Sequence, residues 1–347
     1  MSARVAQLAP ERTLRRLELQ VTRRLDGLLN GEHLGLLPGP GTESAEARLY
    51  QPGEDDVRHM DWAVTARTTT PHVRDLIADH ELEAWSLVDL TPSMDFGTGT
   101  LVKRDLAAAA LAAVGFLTVR LGDRAGAYLL HRDGLRRRPA RTGKAAMYAL
   151  LQAVLDAPAT GAAPGETTMT GARAGLSRGT APHGDLAAAI TSLDRGQTRR
   201  GLRVIISDFL APLDDPGGTG TGGGPAAAGH VQPPWERPLR RLSARHQVLA
   251  IEIIDPRELD LPDVGLIEMS DPETGAVHEI VLSRRVRERY AAAAAAQRER
   301  TRAALRRSGA HHLVLRTDRD WITDIARFAL RQRRAAGRPV TTAGARP

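Results

Sequence analysis

The sequence predicts a three-layer α/β fold with a mostly parallel, Rossmann-like sheet. Three observations predict it. Short apolar runs that end at a polar residue, such as Trp85-Ser86-Leu87-Val88 before Asp89 and Val204-Ile205-Ile206-Ser207 before Asp208, have the length and composition of strands buried on both faces. Stretches with helical periodicity alternate with these runs, and that alternation places a parallel sheet between two helical layers. A hydrophobic fraction of 42% over 347 residues suffices to bury such a core.

Taken in order, residues 11–30 read as an amphipathic helix, because Leu14, Leu17, Val21, Leu25 and Leu28 recur at helical spacing. Its single apolar stripe suits a helix that docks on the main domain, and the Gly/Pro-rich stretch Leu34 to Gly41 ends it. Residues 46–80 mix short apolar runs with turn chemistry, including Pro52-Gly53, and read as hairpins or loops. The strand ending at Asp89 leads through a loop into an Ala/Leu-rich helix over 101–121. A strand at 125–131, a hairpin return at 135–139 and helices at 144–156 and 186–193 follow. The pattern closes with a strand at 203–207, a helix at 237–245, strands at 247–254 and 313–316, and a helix at 320–333. Two segments, 157–182 and 211–234, break the rhythm; the second holds seven Gly and five Pro in 24 positions, a composition that reads as a mobile insertion. The expected organisation is an N-terminal extension over 1–80, an α/β domain over 81–333 and a disordered tail over 334–347.

Composition narrows the function. Cysteine is absent, which removes disulfides, thiolate metal sites and a cysteine nucleophile. No apolar run approaches the length of a spanning helix and the first residues lack a signal-peptide core, so the expected location is cytoplasmic. The net charge of +7 leaves an anionic partner open, and nine arginines face two glutamates between Arg284 and Arg307. With an aromatic fraction of only 3%, base-stacking platforms are scarce, and a solvated helix face explains this run better than a nucleic-acid footprint. Thr142-Gly143-Lys144 lacks the leading glycine of a phosphate loop, the glycines at 217–224 follow no strand-to-helix turn, and His311-His312 has no companion spacing for zinc.

The chemistry concentrates in Asp89-Leu90-Thr91-Pro92-Ser93, which sets one carboxylate and two hydroxyls at alternate positions just beyond a buried strand. Ligands of open α/β sheets bind outside the carboxyl ends of the strands. If the strand ending at Asp208 lies beside it, two carboxylates share one crevice, and a hard divalent cation is the economical way to neutralise them. The competing explanation is a capping turn in which these side chains bond loop amides.

An Asp-x-Thr-x-Ser loop with a later strand-end Asp resembles the metal-ion-dependent adhesion site of von Willebrand factor A domains. The resemblance implies Mg2+, with Mn2+ or Ca2+ as substitutes, held by Asp89, Thr91, Ser93 and Asp208, and a partner's carboxylate completing the shell. A wider resemblance, over about residues 30–310, is to the bacterial family called domain of unknown function 58. It rests on the motif from Tyr50 through Pro52, Gly53, Asp55, Arg58, Asp61 and Trp62 to Arg67, and on the segment from Asp255-Pro256-Arg257-Glu258-Leu259 to Asp271-Pro272-Glu273-Thr274-Gly275. The first motif is expected to be structural, with Arg58, Asp61 and Arg67 pairing to hold the extension. Where that family often reads Gly-Thr-Asp-Leu, this chain has His183-Gly184-Asp185-Leu186, so the middle-loop ligand falls to Thr180 or to water. Many members carry N-terminal membrane helices, and this chain reads as a soluble variant. The resemblance implies a non-enzymatic, metal-dependent protein-binding module that acts with a MoxR-type AAA+ ATPase in chaperone-like maturation of other proteins. The alternatives are a metal-dependent phosphoester hydrolase and an Arg-mediated nucleic-acid binder.

Overall fold

The computed structural model describes residues 10–28, 47–50, 60, 62–74, 83–99, 101–120, 122–158, 185–210, 232–270 and 277–335. In chain order the helices and strands are α1 (Pro10–Leu28), β1 (Ala47–Leu49), α2 (Trp62–Thr68), β2 (His72–Arg74), β3 (Glu83–Asp89), α3 (Lys103–Arg120), β4 (Arg124–His131), β5 (Gly134–Arg141) and α4 (Lys144–Leu155). They continue with α5 (Leu186–Gly196), β6 (Leu202–Ser207), α6 (Glu236–Ser243), β7 (Gln247–Ile254), β8 (Leu266–Ser270), β9 (Val277–Val281), α7 (Arg284–Ser308), β10 (His311–Arg316) and α8 (Trp321–Ala335).

Six strands form one sheet in the order β10-β7-β6-β3-β4-β5, all parallel except the edge strand β5, which runs antiparallel to β4. The chain starts this sheet at its middle. It builds outward through β4 and β5, then crosses back to β6 on the other side of β3 and continues to β7 and β10. The direction of winding therefore reverses between β3 and β6, and a doubly wound sheet leaves a crevice at the carboxyl ends of that pair.

Alternation along each strand divides the core between two faces, as the period of two requires. Val88, Ala127, Leu129, Val204, Ile206, Leu249 and Ile251 pack with residues of α1, α3, α4 and α8. Leu87, Tyr128, Leu130, Ile205, Val248 and Ala250 pack with α5, α6 and the end of α7. α3 is apolar around its whole circumference, with every residue from Leu106 to Phe116 buried. Such a helix needs cover on its outer side, and α1 supplies it: Leu14, Val21 and Leu25 are buried in the same cluster. The edge strand β5 carries Arg136, Arg137, Arg138 and Pro139, charged and imino residues that discourage another strand from pairing there.

Two short elements differ from the sequence reading, and the basic run agrees with it. Residues 62–68 form a short helix where loops or hairpins are predicted; seven residues hold too few repeats for periodicity to register. The antiparallel hairpin β8–β9 falls where the sequence pattern marks no element. The basic run in 284–307 lies within the 25-residue helix α7, where six of the nine arginines pair with acids: Arg284 with Glu288, Arg287 with Asp263, Arg298 with Glu252, Arg302 and Arg306 with Glu299, and Arg307 with Glu236. Among the described residues no helix is long and apolar enough to cross a membrane. The predicted tail begins too early, since residues 334–335 still belong to α8; the rest of it and most of both insertions lie outside the described residues.

Candidate functional site

β3 and β6 pair in parallel with Val88 opposite Ile206, so one further step brings Asp89 level with Ser207 at the carboxyl edge. Asp89 is 4% exposed and Asp208 5%. The Ser207 hydroxyl donates to Asp89 Oδ2 at 2.7 Å, and the Thr91 amide and hydroxyl donate to Oδ1 at 3.0 and 2.6 Å. Ser93 Oγ lies 3.3 Å from Thr91 Oγ1. Pro92–Asp95 forms one 3-10 turn, and Thr91 occupies its N-cap position without capping it; the hydroxyl turns to Asp89 instead. The capping explanation thus holds only for the Asp89 oxygen that accepts the Thr91 amide. Gly97 lets this loop fold back on itself, because a Cβ there would lie 2.5 Å from Val102 Cα.

Burial and the neighbouring charge of Asp208 push the Asp89 carboxyl up to about 6, against the pull of its hydrogen bonds from Thr91 and Ser207. Asp208 differs, for it has a cation of its own. Lys103, fully buried at the start of α3, donates from Nζ to Asp208 Oδ2 at 2.8 Å and also binds Glu258. Burial works against the Lys103 charge, but Asp208 and Glu258 outweigh it and hold the ammonium above its ordinary range. The remaining Asp208 oxygen accepts the Leu210 amide at 3.0 Å. Between them Phe209 takes a left-handed φ of 55°, a costly conformation for a bulky residue, held by burial against Trp235 and by its amide bond to Ser207 Oγ.

The next strand end repeats the theme with a different outcome. Asp255, fully buried after β7, accepts bonds from the Thr98 amide and hydroxyl, the Arg257 amide and the Thr317 hydroxyl. Glu258 closes a capping box by accepting the Asp255 amide at 3.0 Å. Burial opposes the Asp255 charge, yet these donors outweigh it and hold the carboxyl below its usual range. Thr98 belongs to the loop after β3, so Asp255 pins the far side of the Asp89 loop. Arg104 pins the near side, reaching the Leu90 carbonyl at 3.2 Å, Asp95 at 2.6 Å and the Ala157 carbonyl at 2.8 Å.

Comparison with known proteins places the chain in a family. The family model described as "Protein of unknown function DUF58" matches residues 46–300. The chain belongs to the DUF58 family. Uncharacterized protein Mb1516 of Mycobacterium bovis and uncharacterized protein Rv1480 of Mycobacterium tuberculosis are each 48% identical to it over 323 residues, 93% of this chain and 90% of theirs. Among solved structures, BatB from Bacteroides thetaiotaomicron is 13% identical with a TM-score of 0.35, over 73% of this chain and 99% of that one. An aerotolerance-related membrane protein from Bacteroides fragilis is 11% identical with a TM-score of 0.37, over 72% and 99%.

In this DUF58 chain Asp89, Thr91, Ser93 and Asp208 come to one crevice because the strands that end at Asp89 and before Asp208 lie side by side. A magnesium-class ion takes oxygen ligands, and the Asp89 carboxylate with the adjoining Thr91 and Ser93 hydroxyls fits that demand. Asp208 fits it less directly, since one of its oxygens is already bound by the Lys103 ammonium. Lys103 supplies a cation to Asp208 and shares it with Glu258, so a metal is not the sole counter-charge available to the two strand-end acids. Among the described residues no group of three or more His, Asp or Glu side chains is arranged around a metal position, so an ion here would rest on one carboxylate with hydroxyls and water. Thr180 lies outside the described residues, as do Pro52, Gly53, Asp55, Arg58 and Asp61. Asp185 serves as the N-cap of α5, accepting the Ala187 amide at 2.8 Å. Of the family motif, Tyr50 donates its amide to the Pro71 carbonyl, Arg67 is exposed in the last turn of α2, and Trp62 is 68% exposed. His312 faces Glu252 at 2.8 Å.

Sequence reasoning missed Lys103, Ser207, Glu258 and Thr98 as site residues. Asp-Pro-x-Glu at 255–258 carries a readable capping-box signal. A lysine at a helix start carries none, because its target is more than a hundred residues away in the chain.

Proposed function

We propose that this DUF58 protein is a non-catalytic binding module of von Willebrand factor A type, in which a divalent cation held by Asp89, Thr91 and Ser93 captures a carboxylate of a partner protein. Mg2+ is the expected ion, with Mn2+ or Ca2+ as substitutes, and Asp208 acts through water while bound to Lys103. One observation carries the reading: Asp89 is a buried acid at the point where the sheet's winding reverses, its charge opposed by burial and by Asp208, with two hydroxyl oxygens beside it. A hard cation relieves that opposition. The strand order, with an antiparallel edge strand, supports the fold assignment.

The partner that the family resemblance implies is a MoxR-type AAA+ ATPase offering an acidic side chain, in the maturation of other proteins. A hydrolytic reading asks for a general base beside these oxygens, and Glu258, which reaches the crevice through Lys103, is tied to Lys103 and the Asp255 amide. The test has two parts. Mn2+ should bind the full chain saturably by calorimetry and lose that binding in Asp89→Ala. The ATPase should co-purify with the wild-type chain in Mg2+ and be released by EDTA; retention in EDTA would defeat the proposal even if the metal binds.

A further inference from the structure

A second cavity, independent of the Asp89 crevice, opens at the carboxyl end of β4. It has a volume of about 290 Å³ and lies between the β4–β5 hairpin and the end of α4. His131, Arg136 and Arg138 form one wall; Gln152, Asp156 and Pro158 form the other.

His131 is 6% exposed, and its Nε2 has no hydrogen-bond partner. A buried polar atom left in this state costs free energy, and such atoms are rare enough to call for an explanation. Arg136 and Arg138 alternate with Arg137 along β5, so they share a face, while Arg137 lies over the Trp85 ring at 5.1 Å on the other. Arg136 is partly engaged by Asp133 at 2.8 Å. On the far wall the Asp156 carboxylate accepts both of its bonds from Gln152 Nε2, at 2.9 and 3.0 Å. Burial pushes the His131 ring down to about 4, with Arg136, Arg104 and Arg138 adding to that and Asp133 opposing it, so the ring is neutral near pH 7 in a positive surrounding.

A neutral imidazole can donate one N–H, and two guanidinium forks can donate several more. Their common complement is an oxyanion with more than two oxygens, which a tetrahedral phosphate offers and a flat carboxylate does not. The volume leaves room for a small organic remainder. We propose that this cavity binds the phosphate group of a small phosphorylated molecule, with Arg136 and Arg138 on its oxygens and His131 Nε2 donating to a third.

The test uses the full chain, titrated by calorimetry with inorganic phosphate and with glycerol phosphate, while the His131 ring is followed by nitrogen NMR. Both titrants should bind saturably and shift the His131 resonance. Arg138→Glu should weaken both about tenfold or more, the loss expected of one charge-assisted contact. Arg138 lies exposed on an edge strand, so the fold should survive, as circular dichroism will check. Arg141→Glu, on the same strand outside the cavity, should bind as wild type. Loss in Arg141→Glu equal to that in Arg138→Glu would show a diffuse basic surface and overturn the proposal. Failure of both soluble phosphates to bind, or binding only to phosphatidylglycerol vesicles, would overturn it too.

Discussion

Asp89 and Asp255 are the same residue at the same kind of place: each ends or follows a parallel strand, each is almost or wholly removed from water, and each accepts hydrogen bonds from Thr or Ser side chains. Their carboxyls nevertheless shift in opposite directions, Asp89 up to about 6 and Asp255 below its usual range. Asp255 has four donors, and no like charge stands among the causes of its shift. Asp89 has three donors and faces Asp208. Position in the fold does not set the direction in which a buried acid shifts; the balance of donors and neighbouring charge does.

The largest effect that can break this comparison is on stability. Asp255→Ala strands two amides and two hydroxyls in the interior and should cost roughly 4 kcal/mol in urea unfolding. Asp89→Asn, which relieves a repulsion, should change stability by less than about 1 kcal/mol. Equal losses would mean that the two acids do the same work.

Next in size is Lys103→Met. Removing one partner of a buried ion pair leaves Asp208 and Glu258 uncompensated, and should cost about 3 kcal/mol. If Lys103 and a divalent ion draw on the same carboxylate, Mn2+ should bind this variant more tightly than wild type; weaker binding would show that Lys103 orders the site instead of competing for it. With the native lysine, Mn2+ at a hundredfold excess over its Kd should stabilise the wild type by about 2.7 kcal/mol and leave Asp89→Asn unmoved in a thermal scan.

The last effect concerns acid. The folded Asp255 carboxyl is depressed, so its contribution is complete above about 3.8 and is lost only as pH falls through its lower folded value. His246 acts earlier. It is 7% exposed with neither ring nitrogen bonded, and burial with the charges of Arg203 and Arg245 depresses it to about 4 from 6.5. The unfolded chain therefore binds the extra proton between those values, so His246 contributes a decline in stability as pH drops from about 6.5 to 4, beside a like contribution from His131 and an opposite one from Asp89. His246→Leu breaks no hydrogen bond and should flatten that slope in unfolding curves taken across the window. An unchanged slope would assign the acid sensitivity elsewhere.

Much of the sheet was readable because its strands are buried on both faces and so are written as continuous apolar runs: Val204-Ile205-Ile206 and the run from Gln247 to Ile254 leave little choice. The loop at Asp89 was readable for a related reason, since its three oxygens sit within five residues of one another. The helix at Trp62 and the β8–β9 hairpin were less so, being short and outside the main sheet.

By itself, then, the sequence established the alternation of strands and helices, the docking stripe of α1 and the cluster of oxygens after β3, all of which are local patterns of period and spacing. Only the tertiary structure decided that Lys103 meets Asp208, that Glu258 joins them, and that Thr98 and Thr317 satisfy Asp255. Those contacts join positions 62 to 157 residues apart. A charge acts through space, and which charges face each other across a crevice follows from strand order, which no short window of the chain records.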